Sequence, residues 1–143
     1  MKIFYNDLLE FTDKILSTIG LDEHSVKSVS LGLCDASLRG VDSHGIRLLP
    51  HYVKSAISGR KNPKPSYRFF KKFPCVGVLD ADNAFGHAAG MKAIYLCEKI
   101  ATENGIGLVS VINSSHSGSM AGMALKGAKK GFITFAFTHA DSL

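Results

Sequence analysis

Asp42, Ser43, His44 and Arg47 bring an acid, a hydroxyl, an imidazole and a guanidinium into one short run, with Gly40 before it and Gly45 inside it. A second imidazole, His116, sits in the hydroxyl-rich stretch Asn113-Ser-Ser-His-Ser-Gly-Ser119. Imidazole titrates near neutrality, so it can take up or release a proton in either direction of a reaction once a neighbour fixes its tautomer. Ser43 or Asp42 can be that neighbour for His44, and Gly45 leaves the backbone open beside it. A guanidinium can hold a carboxylate through two parallel hydrogen bonds. The combination points to acid–base chemistry on a small anionic substrate. The plainer alternative is helix-entry punctuation, with Asp42 or Ser43 capping one helix and the serines around His116 capping another.

The elements that must position these groups follow from periodicity and punctuation. Asn6 is expected to cap a first helix whose apolar positions are Leu8, Leu9, Phe11, Ile15, Leu16 and Ile19, ended by Gly20. Asp22 or Glu23 opens a second, with Val26, Val29, Leu33 and Ala36 on one face and Gly40 as its stop. Leu49, Val53 and Ile57 form the stripe of a third helix, which starts near Leu48 or Leu49 because Pro50 is tolerated only in a first turn. The turn-rich residues 60–65 divide this helical segment, residues 1–59, from a second part, residues 66–143. That part reads as strands at 67–73 and 76–80, a turn at Asp82-Asn83 and a helix over 88–101. A buried strand at 106–112, a loop at 113–119, a small-residue helix at 120–130 and another buried strand at 132–137 follow. The rhythm is that of α/β structure. In such sheets ligands gather beyond the C-terminal ends of strands, which is where His116 falls. The following helix N-terminus favours carboxylate or phosphate groups.

Composition narrows the classes. The chain has 143 residues, 17 basic and 12 acidic, and a formal charge of +5. No apolar run approaches the roughly 18 residues that span a bilayer. Cys34, Cys75 and Cys97 are odd in number and lie in apolar surroundings, so they read as reduced core residues of a cytoplasmic protein. His-Glu-x-x-His and paired Cys-x-x-Cys motifs are absent, so no metal site is expected, and no Gly-x-Ser-x-Gly elbow is present. Tyr67, Phe69, Phe70 and Phe73 alternate with Arg68, Lys71 and Lys72 in a pattern that nucleic acid could use. Without an accompanying motif, a half-buried strand with a solvated basic face is the better reading, and no nucleic-acid partner is expected. His24 and His51 read as surface or helix-face residues, and His87 as a residue capping or flanking the helix after Gly86, none with a constellation around it.

Four runs in order resemble the signatures of the malate/L-lactate dehydrogenase family, which includes ureidoglycolate, sulfolactate and diketogulonate oxidoreductases and is not of the Rossmann type. They are Ser37-Leu-Arg-Gly-Val-Asp-Ser-His-Gly-Ile46 with Pro50 and Tyr52, Asp80-Ala-Asp-Asn-Ala-Phe-Gly86, Ala101-Thr-Glu-Asn-Gly-Ile-Gly107, and Asn113-Ser-Ser-His-Ser-Gly118 running on to Gly131-Phe-Ile133. The resemblance implies a helical segment followed by the first part of an α/β nicotinamide-binding domain, a chain truncated relative to the family, and a homodimer. It implies NAD- or NADP-dependent interconversion of a 2-hydroxy acid and its 2-oxo acid. On the matching positions His44 and His116 are the implied catalytic imidazoles, with Ser43 beside the first. His116, Ser117, Gly118, Ser119 and Met120 form the implied cofactor-contacting segment. Leu48 stands where the family carries a substrate arginine, so the neighbouring Arg47 is the expected carboxylate-binding residue. A chain of this length is expected to show little activity alone. The alternative is a non-catalytic interaction or dimerisation remnant of such an enzyme.

Overall fold

The computed structural model describes residues 2–139. Three helices open the chain: α1 (Tyr5–Thr18), α2 (Glu23–Leu38) and α3 (Leu49–Ile57). Asp22 caps α2, its carboxylate accepting the Ser25 N–H at 2.7 Å. Asn6 does not cap α1: Phe4 holds that position in an extended conformation, and Asn6 lies inside the first turn. Pro50 sits at the start of α3, where its missing N–H costs no hydrogen bond. Two 3₁₀ turns, Asp42–His44 and Ile46–Leu48, join α2 to α3.

The second part is a three-stranded sheet with helices. Strands β1 (Arg68–Phe73) and β2 (Val76–Asp80) form an antiparallel hairpin. Helix α4 (Gly86–Asn104) then crosses to β3 (Leu108–Ile112), which pairs parallel to β2, so the order is β1-β2-β3. Helix α5 (Met120–Ala128) follows. The architecture is α/β, with helices followed by a small mixed sheet.

The helical core gathers Leu16, Leu21, Val26, Val29, Leu33, Leu49, Tyr52, Ala56 and Phe85. Phe85 comes from the entry to α4, so this cluster joins the two halves of the sequence, and α2 packs directly on α4. Apolar burial of this kind stabilises by about 1.5–3 kcal/mol per large side chain.

Three expectations need correction. The strand read at 106–112 begins at Leu108 and is covered on one face only, with Leu108 and Ile112 exposed. Residues 132–137 form no ladder: Ile133, Phe135 and Phe137 are 91%, 74% and 88% exposed, and the two phenyl rings stack on each other. An apolar alternating run has strand character only when a neighbour takes its backbone hydrogen bonds, and among the described residues none does. Of the three cysteines only Cys34 is buried, and all are free thiols. Residues 140–143, the close of the second predicted part, lie outside the described residues. Among the described residues no helix is long and apolar enough to cross a membrane.

Candidate functional site: a histidine cluster at the junction of helices and sheet

His44 reaches the site from the 3₁₀ turn after α2. The chain just after that turn is pinned to α2 by the Ser37 hydroxyl, which accepts the Ile46 N–H at 2.8 Å. Gly45 is buried against the same hydroxyl, and a β-carbon there would collide with it. His116 arrives from the loop beyond β3. Its base is fixed by Asn113, whose amide donates to the Asp80 carboxylate at 3.0 Å. The Gly86 N–H donates to Ser115 Oγ at 3.1 Å, and Gly86 lies so close to the Ser115 and His116 carbonyls that no β-carbon would fit.

These two anchors bring the imidazoles face to face. The His44 and His116 rings stack with centroids 5.3 Å apart and planes 24° from parallel. Ser43 Oγ lies 2.9 Å from His44 Nδ1, so Ser43, not Asp42, is the hydrogen-bond neighbour of that ring. The Tyr52 hydroxyl lies 2.9 Å from His116 Nδ1 and 3.4 Å from the His116 carbonyl oxygen. One arrangement satisfies both contacts: Nδ1–H donates to the Tyr52 oxygen, and the Tyr52 O–H donates to the carbonyl. His116 Nε2 is then the nitrogen left to exchange a proton. Burial pushes the Tyr52 phenol above its ordinary range, which keeps its proton in place. Burial first, and the His44 and His51 rings second, hold His116 below the usual imidazole value.

Tyr52 was legible only as part of a motif, and its place against His116 was not. His87 is the larger correction. It neither caps nor merely flanks α4: it is 3% exposed, its ring lies 5.4 Å from Tyr52, and neither ring nitrogen has a hydrogen-bond partner among the described residues. Its position one residue after a helix-opening glycine carried no signal of this, because burial on α4 depends on α2 and on the His116 loop. His24 is half-buried and its Nε2 pairs with the Ala88 carbonyl at 2.9 Å, whereas His51 is exposed and meets Tyr52 edge-on.

Arg47 is exposed, with no hydrogen bond or ion pair among the described residues, while Leu48 turns onto the helical core. Ser117, Gly118 and Ser119 lead into α5, where Met120 is the first residue. Ser117 Oγ donates to the Ser115 carbonyl at 3.3 Å, and Ser119 makes no side-chain cap, so it leaves the first backbone N–H groups of α5 to other acceptors. No group of three or more His, Cys, Asp or Glu is arranged to hold a metal ion among the described residues.

Comparison with known proteins addresses the family and the fold. The chain is 35% identical over 143 residues to a malate dehydrogenase of Pyrococcus abyssi, covering all of this chain and 40% of the relative. It is 29% identical over 143 residues to the ureidoglycolate dehydrogenase (NAD(+)) of Escherichia coli K12, covering 41% of that protein. Among solved structures, malate dehydrogenase from Pyrococcus horikoshii OT3 superposes with a TM-score of 0.88 at 34% identity, over 92% of this chain and 38% of the other. Sulfolactate dehydrogenase from Methanocaldococcus jannaschii superposes at 0.86 with 29% identity, over 91% and 38%. The chain thus spans about two-fifths of the length of these relatives. The family described as malate/L-lactate dehydrogenase matches residues 3–143, and the chain belongs to it.

Proposed function

We propose that this chain carries the acid–base groups of a 2-hydroxyacid oxidoreductase, with His116 as the proton-transfer group and His44 as its partner. The observation that carries the reading is the stacked His44–His116 pair with Tyr52 on His116 Nδ1. Oxidising a 2-hydroxy acid requires a base on the hydroxyl proton, and reducing the 2-oxo acid requires the same group as acid. Nε2 of His116 serves both directions, because the Tyr52 oxygen accepts the hydrogen bond from Nδ1–H in either state. Ser43 orients His44 through its contact with Nδ1. Arg47 is the cation we assign to the substrate carboxylate, its side chain uncommitted among the described residues. The uncapped start of α5, with Ser117, Gly118, Ser119 and Met120, fits the oxygen-rich carboxamide and phosphate groups of NAD or NADP. When bound, that cofactor supplies the hydride acceptor or donor. A homodimer in the cytoplasm completes this reading.

The test is histidine NMR on the chain itself, titrated with pyruvate and oxaloacetate with and without NADH or NADPH. The reading expects the His44 and His116 ring signals to move with a 2-oxo acid. Rings that ignore every acid up to millimolar concentration, with either cofactor, would sink it. Little turnover is expected from a chain spanning about two-fifths of its relatives. Whatever turnover is seen is expected to fall about 10²- to 10⁴-fold in His116→Ala.

A second reading, a non-catalytic interaction module, is favoured by the exposed Ile133, Phe135 and Phe137. Light scattering distinguishes it, since a clean monomer that binds no apolar dye argues against an interaction surface there.

A further inference from the structure

We propose that His87 is a positioning residue of the histidine cluster: its ring braces Tyr52 and the Gly118 turn together, and so fixes which nitrogen of His116 carries the proton. The acid–base reading above does not use this side chain. Its catalytic meaning rests on that reading, but its geometry stands alone.

The space for this ring is built from two elements. Gly32 lies in the interior of α2, where alanine would be the better helix former, yet a β-carbon there would collide with His87 Cδ2. Gly118, at φ +68°, belongs to the loop of His116, and a β-carbon there would collide with His87 Nε2. The ring also lies 5.4 Å from Tyr52, the hydrogen-bond partner of His116. His87 therefore touches both supports of His116, its loop and its tautomer-setting hydroxyl. Two buried ring nitrogens without a hydrogen-bond partner among the described residues are a cost that an aliphatic side chain would not incur. A role in the site accounts for that cost; filling space alone does not. Burial holds His87 down to about 3, with the His116 and His44 charges adding to it, so the brace stays uncharged near neutrality.

The experiment is nitrogen-15 NMR of histidine-labelled full chain near pH 8, without substrate or cofactor. Wild-type His116 is expected in one dominant tautomer, with Nδ1 protonated. His87→Ala is expected to mix the two tautomers, and His87→Gln, neutral and polar, to restore the wild-type pattern. Gly32→Ala, remote from His116 but pressing on the His87 ring, is expected to shift the His116 nitrogens while leaving the helical circular dichroism intact. A merely structural role would lower the melting temperature in these variants without moving the His116 nitrogens. Mixed tautomers in the wild type overturn the proposal, as do unchanged His116 signals in folded His87→Ala or in folded Gly32→Ala. Since no substrate is present, that failure is separate from a failure of the oxidoreductase reading.

Discussion

His87 and His116 both sit near Tyr52, and burial lowers the pKa of both, His87 being the more deeply enclosed. His87 is enclosed and held to about 3, against an ordinary 6.5. Its folded pKa is depressed, so the unfolded chain binds the proton more readily between those values. Stability is therefore expected to fall as pH drops from 6.5 toward 3, by at most about 1.4 kcal/mol per pH unit from this one group. Urea melts of wild type and His87→Gln across that range check it: the variant should lose the His87 share of the slope. Tyr52→Phe removes only the hydroxyl beside His116 Nδ1. The expected cost in stability is about 0.5–1.5 kcal/mol, with a mixed His116 tautomer, read by thermal melting and nitrogen-15 NMR.

The elements matter because each catalytic candidate sits where two of them meet. Asp80, at the end of β2, accepts hydrogen bonds from Asn113 beyond β3, from the Asp82 backbone and from Arg68 on β1. Those bonds, Asn113 first, hold its carboxyl below the ordinary 3.8. A depressed carboxyl stabilises above its unfolded value and loses that contribution as pH falls through its folded one. Asp80→Ala is thus expected to melt below wild type at pH 7, with the gap closing as the pH falls below 3.8. Scanning calorimetry at two pH values decides it. In α2, Gly32→Ala would gain about 1 kcal/mol in an open helix. Here the collision with His87 is expected to reverse the sign, and the added His87→Ala change to recover part of the loss, as a double-mutant cycle would record.

At the scale of the molecule, one core spans the junction, with Phe85 among the side chains of α1, α2 and α3. The sheet has a covered face toward α4 and an open one that shows Phe70, Leu108 and Ile112. Residues 132–137 add Ile133, Phe135 and Phe137 to the apolar surface. Replacing Phe135 and Phe137 together by Ser is expected to lower binding of an apolar dye and any concentration-dependent association. Fluorescence titration and light scattering measure both, and an unchanged dye signal would place the sticky surface elsewhere.

What could be learned without coordinates was local. Asp22 as a cap, Pro50 in a first turn, the period of α2 and the four ordered motifs each depend on residues a few positions apart, and backbone sterics act over that range. The types of the candidate acid–base groups, His44 and His116, were legible for the same reason. Their stacking across more than seventy residues of chain was not, because it depends on Ser37 holding one turn to α2 and Asp80 holding the other to β2. His87 was misjudged because its neighbours are set by how α2, α4 and the His116 loop pack, and an apolar run at 132–137 was misjudged because apolarity says that a segment can be buried, not what will cover it. Burial and convergence are properties of the packed chain, and only the packed chain decides them.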